Sequence, residues 1–454
     1  MNRQQISLTQ GSIWKAILFF AFPIFLGQVF QQLYNTFDAW CVGYFINDNA
    51  MGAVTSSGSL IFLMVSFFNG LAMGAGVVIA RYYGAKNDDA VSKTIHTAIA
   101  FGLCTGTALT VAGITCTPII LRWMGAPEDT MVYSIPYFRF YFCGAFFTVM
   151  YNIFVGIHHA VGDSKHPLYY LICSTMVNIV LDLLFVGVMG FGVGSAALAT
   201  TISQGISALL CCIHLMRSTG PARLYLRKIR FHWKNLQEII RYGLPSAIQN
   251  SVIALANVVV QSNIFAFGPD AVNGCGAYSK LEGFAFLPVM CFSQSLSTFT
   301  GQNLGAEQHD RVKKGVGFGI VCSLIMAQIV GLLSYIFAPQ LIGFFAKSEA
   351  AIAYGTQHMR TICLFYGLLA FSHCIAGIMR GAGKATVPMF TMLACWCVIR
   401  VSYITIAVKF APKLTTVSWA YPLTWTLSSV VFLIYFLKAD WIHNFDRQKA
   451  KKAT

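Results

Sequence analysis

Three acidic residues lie inside long apolar stretches of the sequence: Asp38, Asp182 and Glu282. An ionised carboxylate at the centre of a bilayer costs about 2.5–3.5 kcal/mol, so such a residue is retained only where it has a partner or a use. Carboxylates carry protons and bind hard cations such as Na⁺. The three acids therefore predict sites that take up a proton or a small cation within a membrane.

Polar neutral residues accompany two of these acids. Asn178 precedes Asp182 by four residues, which places both on one face of a helix. The next apolar segment contains Thr200, Gln204 and further hydroxyl residues, and Tyr34 lies one turn before Asp38. These groups offer oxygen ligands, so the pattern favours an ion site that involves the first, fifth and sixth apolar segments.

Glu282 has a second explanation. It lies two residues from Lys280 near the start of its apolar segment, so an ion pair at the membrane interface accounts for it as well as a site does.

The composition requires a membrane protein. The chain has 454 residues, of which 56% are hydrophobic and 10% charged, whereas a soluble domain carries about 25% charged residues. Four stretches have no Asp, Glu, Lys or Arg: 49–80, 283–306, 315–346 and 414–437. A bilayer core needs about 20 apolar helical residues. The sequence predicts an all-α protein with twelve membrane helices, at 15–40, 50–79, 94–121, 132–157, 167–189, 191–216, 240–265, 272–300, 314–340, 356–379, 385–409 and 415–437.

The basic residues that give the net charge of +15 lie mainly in the loops and do not collect on one face of the protein. We number the loops between the predicted helices in chain order, so that the even-numbered loops lie on the same side of the membrane as the two termini. Of the 31 Lys and Arg residues, 23 lie in the termini and even-numbered loops, and 4 lie in the odd-numbered loops. This bias predicts that both termini are cytoplasmic, and it argues against a nucleic-acid partner. The spacings of the 14 cysteines do not suit a zinc site. His158 and His159 are adjacent, so their rings diverge on a helix, and they predict no metal site either.

The chain contains an internal repeat. The stretch from Gly84 to Lys93 resembles 305–314, an offset of 221 (residue 84 to residue 305), and Gly156, Gly162 and Pro167 recur at the same offset. A helical proline stands near the start of each half, at Pro23 and Pro245. We therefore predict an N-lobe at 1–216, a basic cytoplasmic linker at 217–239 and a C-lobe at 240–454, each lobe with six helices and parallel topology.

This pattern resembles the multidrug and toxic compound extrusion (MATE) transporters, and most of all the prokaryotic branch related to the DNA-damage-inducible F (DinF) proteins. The resemblance covers residues 10–437. It rests on the helix count, the duplication and the polar residues of helices one, five and six. It implies two pseudo-symmetric lobes in a V around a central cavity, the MATE fold of the MOP superfamily.

The resemblance also implies site residues. The family's cation site corresponds to Asp38, Asn178, Asp182 and Thr200, which would take Na⁺ or H⁺. Substrate contacts fall near Gln31 and Tyr34, and at Asn152 on helix four. Independently of the resemblance, a proline inside a helix removes a hydrogen bond and kinks it, so Pro23 is a candidate hinge, with a static kink as the alternative. Some branches carry an essential acid on helix seven, where this chain has only neutral residues, so Glu282 is the one candidate accessory acid of the C-lobe.

We expect a secondary active antiporter of the inner cell membrane, monomeric and without a cofactor, that exports small organic, often cationic, compounds in exchange for H⁺ or Na⁺. One alternative is a flippase for lipid-linked precursors from the same superfamily, for which Arg139, Arg360 and Arg400 are candidate intramembrane cations. A prenyltransferase-like enzyme would need clustered aspartates, and Asp88 and Asp89 stand alone. A channel would need a continuous polar stripe, whereas the polar residues here collect in one lobe.

Overall fold

The computed structural model describes residues 8–45, 48–123, 128–192 and 194–447, and within these ranges every regular element is a helix. Four of the basic residues near the chain ends lie outside the described residues: Arg3, Lys449, Lys451 and Lys452.

The helices of the first half are Ile13–Phe45 (α1), Asp48–Gly84 (α2), Asp88–Trp123 (α3), Glu128–Cys143 (α4), Ala145–Ala160 (α5), Lys165–Asp182 (α6) and Gly194–Arg217 (α7). Those of the second half are Trp233–Phe265 (α8), Pro269–Ala285 (α9), Leu287–Gly305 (α10), His309–Ile336 (α11), Ala338–Gly343 (α12), Glu349–Ile362 (α13), Tyr366–Gly381 (α14), Thr386–Met392 (α15), Arg400–Phe410 (α16) and Leu414–Lys438 (α17). Two π-helical segments, Leu183–Val188 and Leu393–Ile399, continue α6 and α15.

Ten helices of the described chain are long and apolar enough to cross a membrane, or eleven when α4 and α5, bent by 43°, count as one span. Each of these overlaps one predicted segment. The remaining predicted segment, 272–300, is divided into α9 and α10 at Phe286. Pro288 lies in the first turn of α10, where proline is tolerated because the first turn needs no backbone donor. The break thus follows from a proline that hydropathy alone does not register.

Contacts divide the described chain into two compact units. Residues 26–247 form the first unit, and residues 8–25 together with 248–447 form the second. Helices α1 and α8 each pass from one unit to the other two residues after their proline, Pro23 or Pro245. The contacts therefore group 217–239 with the first unit, whereas the repeat in the sequence predicts a separate linker there.

The duplication extends to the backbone. Lys86 and Glu307, which occupy equivalent repeat positions, are the non-glycine residues of the described chain with positive φ, at 53° and 58°. Gly162 and Gly383 form a second equivalent pair, with φ of 87° and 73°. Few side chains tolerate this left-handed conformation, so equal turns at equal positions indicate that the two halves share one local design.

Within the first unit, α2 and the start of α8 pack with unusually close backbones. A Cβ atom on Gly74 would lie 2.3 Å from the backbone nitrogen of Gly243, and one on Gly70 would lie 2.3 Å from the backbone of Ala247. Small residues four apart allow membrane helices to approach in this way. At the end of the same contact, Arg81 Nη2 lies 2.6 Å from Glu238 Oε2.

Candidate functional site

The first unit brings helices α1 and α7 together at Asp38. Thr200 Oγ1 donates to Asp38 Oδ2 at 3.0 Å and is also 3.0 Å from the carbonyl oxygen of Ala196 in its own helix. The other carboxyl oxygen of Asp38, Oδ1, is buried and has no hydrogen-bond partner among the described residues. The first and sixth predicted membrane segments, which are α1 and α7 in the structure, therefore contact each other as the sequence predicts.

Helix α6 adds Asn178 and Asp182, both fully buried. Their side chains adjoin the carboxyl group of Asp38. Neither carboxyl oxygen of Asp182 and neither polar atom of the Asn178 amide has a hydrogen-bond partner of normal geometry among the described residues. The four predicted residues thus converge, and five of their polar atoms are unsatisfied.

Buried polar atoms without partners are costly, so their concentration at one point calls for a ligand. No Lys or Arg side chain is among the groups that act on Asp38 or Asp182 in the described part of the chain. A proton shared by the two carboxyl groups, or a cation held by their oxygens and those of Asn178 and Thr200, would supply the missing positive charge. The oxygen-rich set of side chains suits either ion.

The site is also shaped by two tyrosines that sequence reasoning missed. Tyr137 and Tyr141 on α4 are close enough to Asp38 to interact with it electrostatically. Gln204, one of the polar residues that the sequence places in the segment of Thr200, lies one turn after Thr200 on α7 and buries an amide oxygen without a partner among the described residues. The i, i+4 spacing of the two tyrosines was a usable signal. A π-helical segment begins directly after Asp182, a feature that often marks functional sites.

The three residues predicted to contact substrate lie at different places relative to Asp38. Tyr34 is buried, and its hydroxyl lies beside Asp38 and Thr200. Gln31 is half-buried and lies about one turn earlier on α1. Asn152 donates to the carbonyl of Thr148 in α5 at 2.8 Å, and it is not among the described neighbours of Asp38 or Asp182.

The predicted hinge, Pro23, is buried inside α1. It lies two residues before the point where α1 passes from the second unit to the first.

Glu282 lies in the second unit, where it accepts a hydrogen bond from Tyr278 at 2.9 Å. Arg400 is an electrostatic neighbour of Glu282 and donates two hydrogen bonds to Thr424, at 3.2 and 2.9 Å. Lys280 instead lies over the ring of Phe345. The alternative sequence-based explanation, a pair of Glu282 with Lys280, is therefore not what the structure shows.

The structure does not give the three arginines of the flippase alternative a common environment. Arg139 and Arg360 are exposed, whereas Arg400 is buried. A cavity of about 1160 Å³ does contain Arg360, between α11, α13 and α17 of the second unit, and it includes none of the predicted site residues.

Comparison with known proteins identifies the family. The MatE family model matches residues 23–184 and 245–406, more than half of the chain. The two matched stretches begin at Pro23 and Pro245, which confirms the duplication predicted from the sequence.

Curated relatives match along most of their length. The chain is 28% identical over 397 residues to the "Probable multidrug resistance protein YoeA" of Bacillus subtilis, covering 86% of each chain. It is 24% identical to the "Probable multidrug resistance protein NorM" of Thermotoga maritima, covering 94% of this chain and 93% of that one.

Solved structures show the same fold. An outward-facing multidrug resistance MATE family transporter of the MOP superfamily matches with a TM-score of 0.91 at 23% identity, over 97% of this chain and 99% of that chain. A MOP superfamily transporter from Pyrococcus furiosus, described as having a binding pocket of reverse polarity, matches with a TM-score of 0.90 at 23% identity over all of both chains. These matches confirm the predicted all-α, multi-span MATE fold. The chain therefore belongs to the MatE family, whose members are membrane transporters and not enzymes.

Proposed function

We propose that this chain is a secondary active antiporter that exports small organic compounds, many of them cationic, in exchange for H⁺ or Na⁺. Relatives named as multidrug resistance proteins support the substrate class. The observation that carries the coupling is the buried carboxyl pair of Asp38 and Asp182. Thr200 donates to Asp38 alone, and no Lys or Arg is among the described neighbours of either acid. An uncompensated pair of this kind binds a positive charge.

In this mechanism, the ion enters from outside and binds between Asp38 and Asp182. Binding neutralises the site, so the electrostatic repulsion between the carboxyl groups ends and α1 can bend at Pro23. Substrate held near Gln31 and Tyr34 is then expelled. Return to the inward-open state releases the ion to the cytoplasm. The membrane potential supplies about 2.3 kcal/mol per charge per 100 mV.

The same proposal includes the inner cell membrane as location, cytoplasmic termini and a monomer. Membership of the DinF-related branch also remains a prediction.

The experiment is efflux of ethidium from proteoliposomes under a pH gradient or a Na⁺ gradient, imposed separately. Wild type is compared with Asp38→Asn and Asp182→Asn. Asp89→Asn is the matched control, because Asp89 is exposed and pairs with Lys93 on the surface of α3. We expect one of the two gradients to drive efflux by the wild type and by the control. Neither Asp38→Asn nor Asp182→Asn should show this gradient-driven efflux. Full gradient-driven efflux in both site variants would refute the proposed coupling site.

A further inference from the structure

A second cluster of ionisable side chains lies in the first unit, where α5 ends, α6 begins and α7 ends. One ligand atom each from His158, Asp163 and His214 lies within 4.8 Å of the other two. His158 and Asp163 are 1% and 3% exposed. The adjacent His158 and His159 gave no reason to expect such a site, because the partners of His158 come from the following turn and from α7.

The imidazoles converge on one carboxyl oxygen. Asp163 Oδ2 lies 3.0 Å from His158 Nδ1, 3.9 Å from His214 Nε2 and 2.9 Å from His166 Nδ1. Ligand atoms bound to a tetrahedral zinc ion at about 2.0–2.1 Å are roughly 3.4 Å apart, so these spacings need only small shifts to accept an ion. The other oxygen, Oδ1, accepts from the backbone N–H of His166 at 3.2 Å, which fixes the orientation of the carboxylate.

The outer nitrogen of His214 also suits metal binding. Tyr170 Oη lies 2.8 Å from His214 Nδ1. When Nδ1–H donates to this hydroxyl, Nε2 presents its lone pair to the centre of the cluster, the arrangement that fixes metal-binding histidines. In the metal-free chain, His158 Nδ1–H donates to Asp163 Oδ2 at 3.0 Å. A metal ion would take the place of this proton and leave the remaining N–H of the ring at Nε2, which is buried and has no partner among the described residues.

The charge of the cluster is appropriate for a divalent ion. In the described part of the chain, the ion pairs of Asp163 involve histidines alone, so no Lys or Arg already occupies the position that a metal would take. Two or three imidazoles with one carboxylate form the donor set preferred by Zn²⁺ and its first-row neighbours.

We propose that His158, Asp163 and His214 bind a divalent transition metal ion of the Zn²⁺ type, with water in the fourth position and with His166 orienting Asp163. The bound ion joins the turn between α5 and α6 to the end of α7. This site is separate from the carboxyl pair of Asp38 and Asp182, and its existence does not depend on the proposed transport function.

The test is Co²⁺ titration of the purified full chain in detergent, prepared without a polyhistidine tag and treated with a chelator. We expect one Co²⁺ per chain, with visible d–d absorption that Zn²⁺ displaces. His214→Ala should remove this absorption. His166→Ala should weaken binding by about 10- to 100-fold, because it removes an orienting partner only. Zn²⁺ should raise the thermal unfolding temperature of wild type and leave that of His214→Ala unchanged.

His443→Ala is the matched control, because His443 belongs to a more exposed His/Asp cluster in the second unit. We expect it to bind Co²⁺ as wild type does. Undiminished binding in a folded His214→Ala variant, or loss of binding in His443→Ala, would overturn the proposal. A spectrum dominated by thiolate charge transfer would also overturn it, since that result would assign the ion to cysteines such as Cys211, which lies near Asp163.

Discussion

Thr200 Oγ1 lies 3.0 Å from Asp38 Oδ2 and 3.0 Å from the carbonyl oxygen of Ala196, and a hydroxyl has one proton to give to the two. The carboxylate therefore receives at most a shared donor from α7. Asp38 Oδ1 and both carboxyl oxygens of Asp182 receive none from the described residues. The site has an excess of acceptors, which is the condition for binding an ion in preference to holding a permanent internal hydrogen bond.

Replacing Thr200 by Val, which has nearly the same shape, should change ion binding in a direction that depends on the ion. The hydroxyl donates to the ionised carboxyl group of Asp38, and a hydrogen bond to a charged group contributes about 1.5–3 kcal/mol, so the half-saturating ion concentration should change by about 10- to 100-fold. It should fall if the coupling ion is H⁺, because the ionised carboxylate loses a donor, and rise if the ion is Na⁺ with the Thr200 oxygen as a ligand. Thr200→Ser keeps the hydroxyl and should behave nearly as wild type. Equal half-saturation values for the Val and Ser variants would mean that Thr200 only bonds to its own helix.

The structure distinguishes Glu282 from Asp38, although both are acids inside apolar segments of the sequence. Glu282 has Tyr278 as donor and Arg400 as a positive neighbour, so it needs no transported cation. Glu282→Gln should therefore keep ion-driven ethidium efflux within about twofold of wild type. It should lower the free energy of unfolding by about 1–3 kcal/mol, since Arg400 loses its counter-charge. Loss of efflux in a variant of unchanged stability would instead make Glu282 a coupling residue.

The residues of the candidate ion site were predictable because charge inside an apolar helix is rare and costly. Asp38 and Asp182 stand out by type alone, and Asn178 follows from helical spacing. The break at Phe286 and the convergence of His158 with His214 were not predictable in the same way. The first follows from Pro288, whose effect within an apolar run the hydropathy pattern does not register. The second depends on the packing of α5 against α7, which brings together histidines far apart in the chain.

Gly74→Ala should strongly destabilise the first unit. Its new Cβ would meet the backbone of Gly243 at 2.3 Å, and two helix backbones cannot yield as a flexible side chain would. We expect a loss of about 3 kcal/mol, at the upper end for overpacking, measured by thermal unfolding in detergent. Gly76→Ala is the control, because its Cβ would make an ordinary contact of 3.5 Å with Gly156. Similar unfolding temperatures for the two variants would show that α2 and α8 are not packed as described.

The final prediction concerns two ion pairs with the same length and different burial. Arg81–Glu238 and Lys93–Asp89 are both 2.6 Å long, but the side chains of the first are 12% and 10% exposed and those of the second 45% and 74%. Removing one partner of a buried pair leaves an unpaired charge and costs about 3–5 kcal/mol, whereas an exposed helical pair contributes about 0.3–0.5 kcal/mol.

Glu238→Gln should therefore lower the unfolding temperature far more than Asp89→Asn. The double variant Arg81→Met, Glu238→Leu should recover most of the loss, because it removes both charges and leaves apolar side chains against the membrane helices. Such recovery would show that each charge of the pair serves mainly to compensate the other. A double variant as unstable as Glu238→Gln would instead mean that the hydrogen bond from Tyr82 to Glu238, 2.8 Å long, holds the start of α8 against α2.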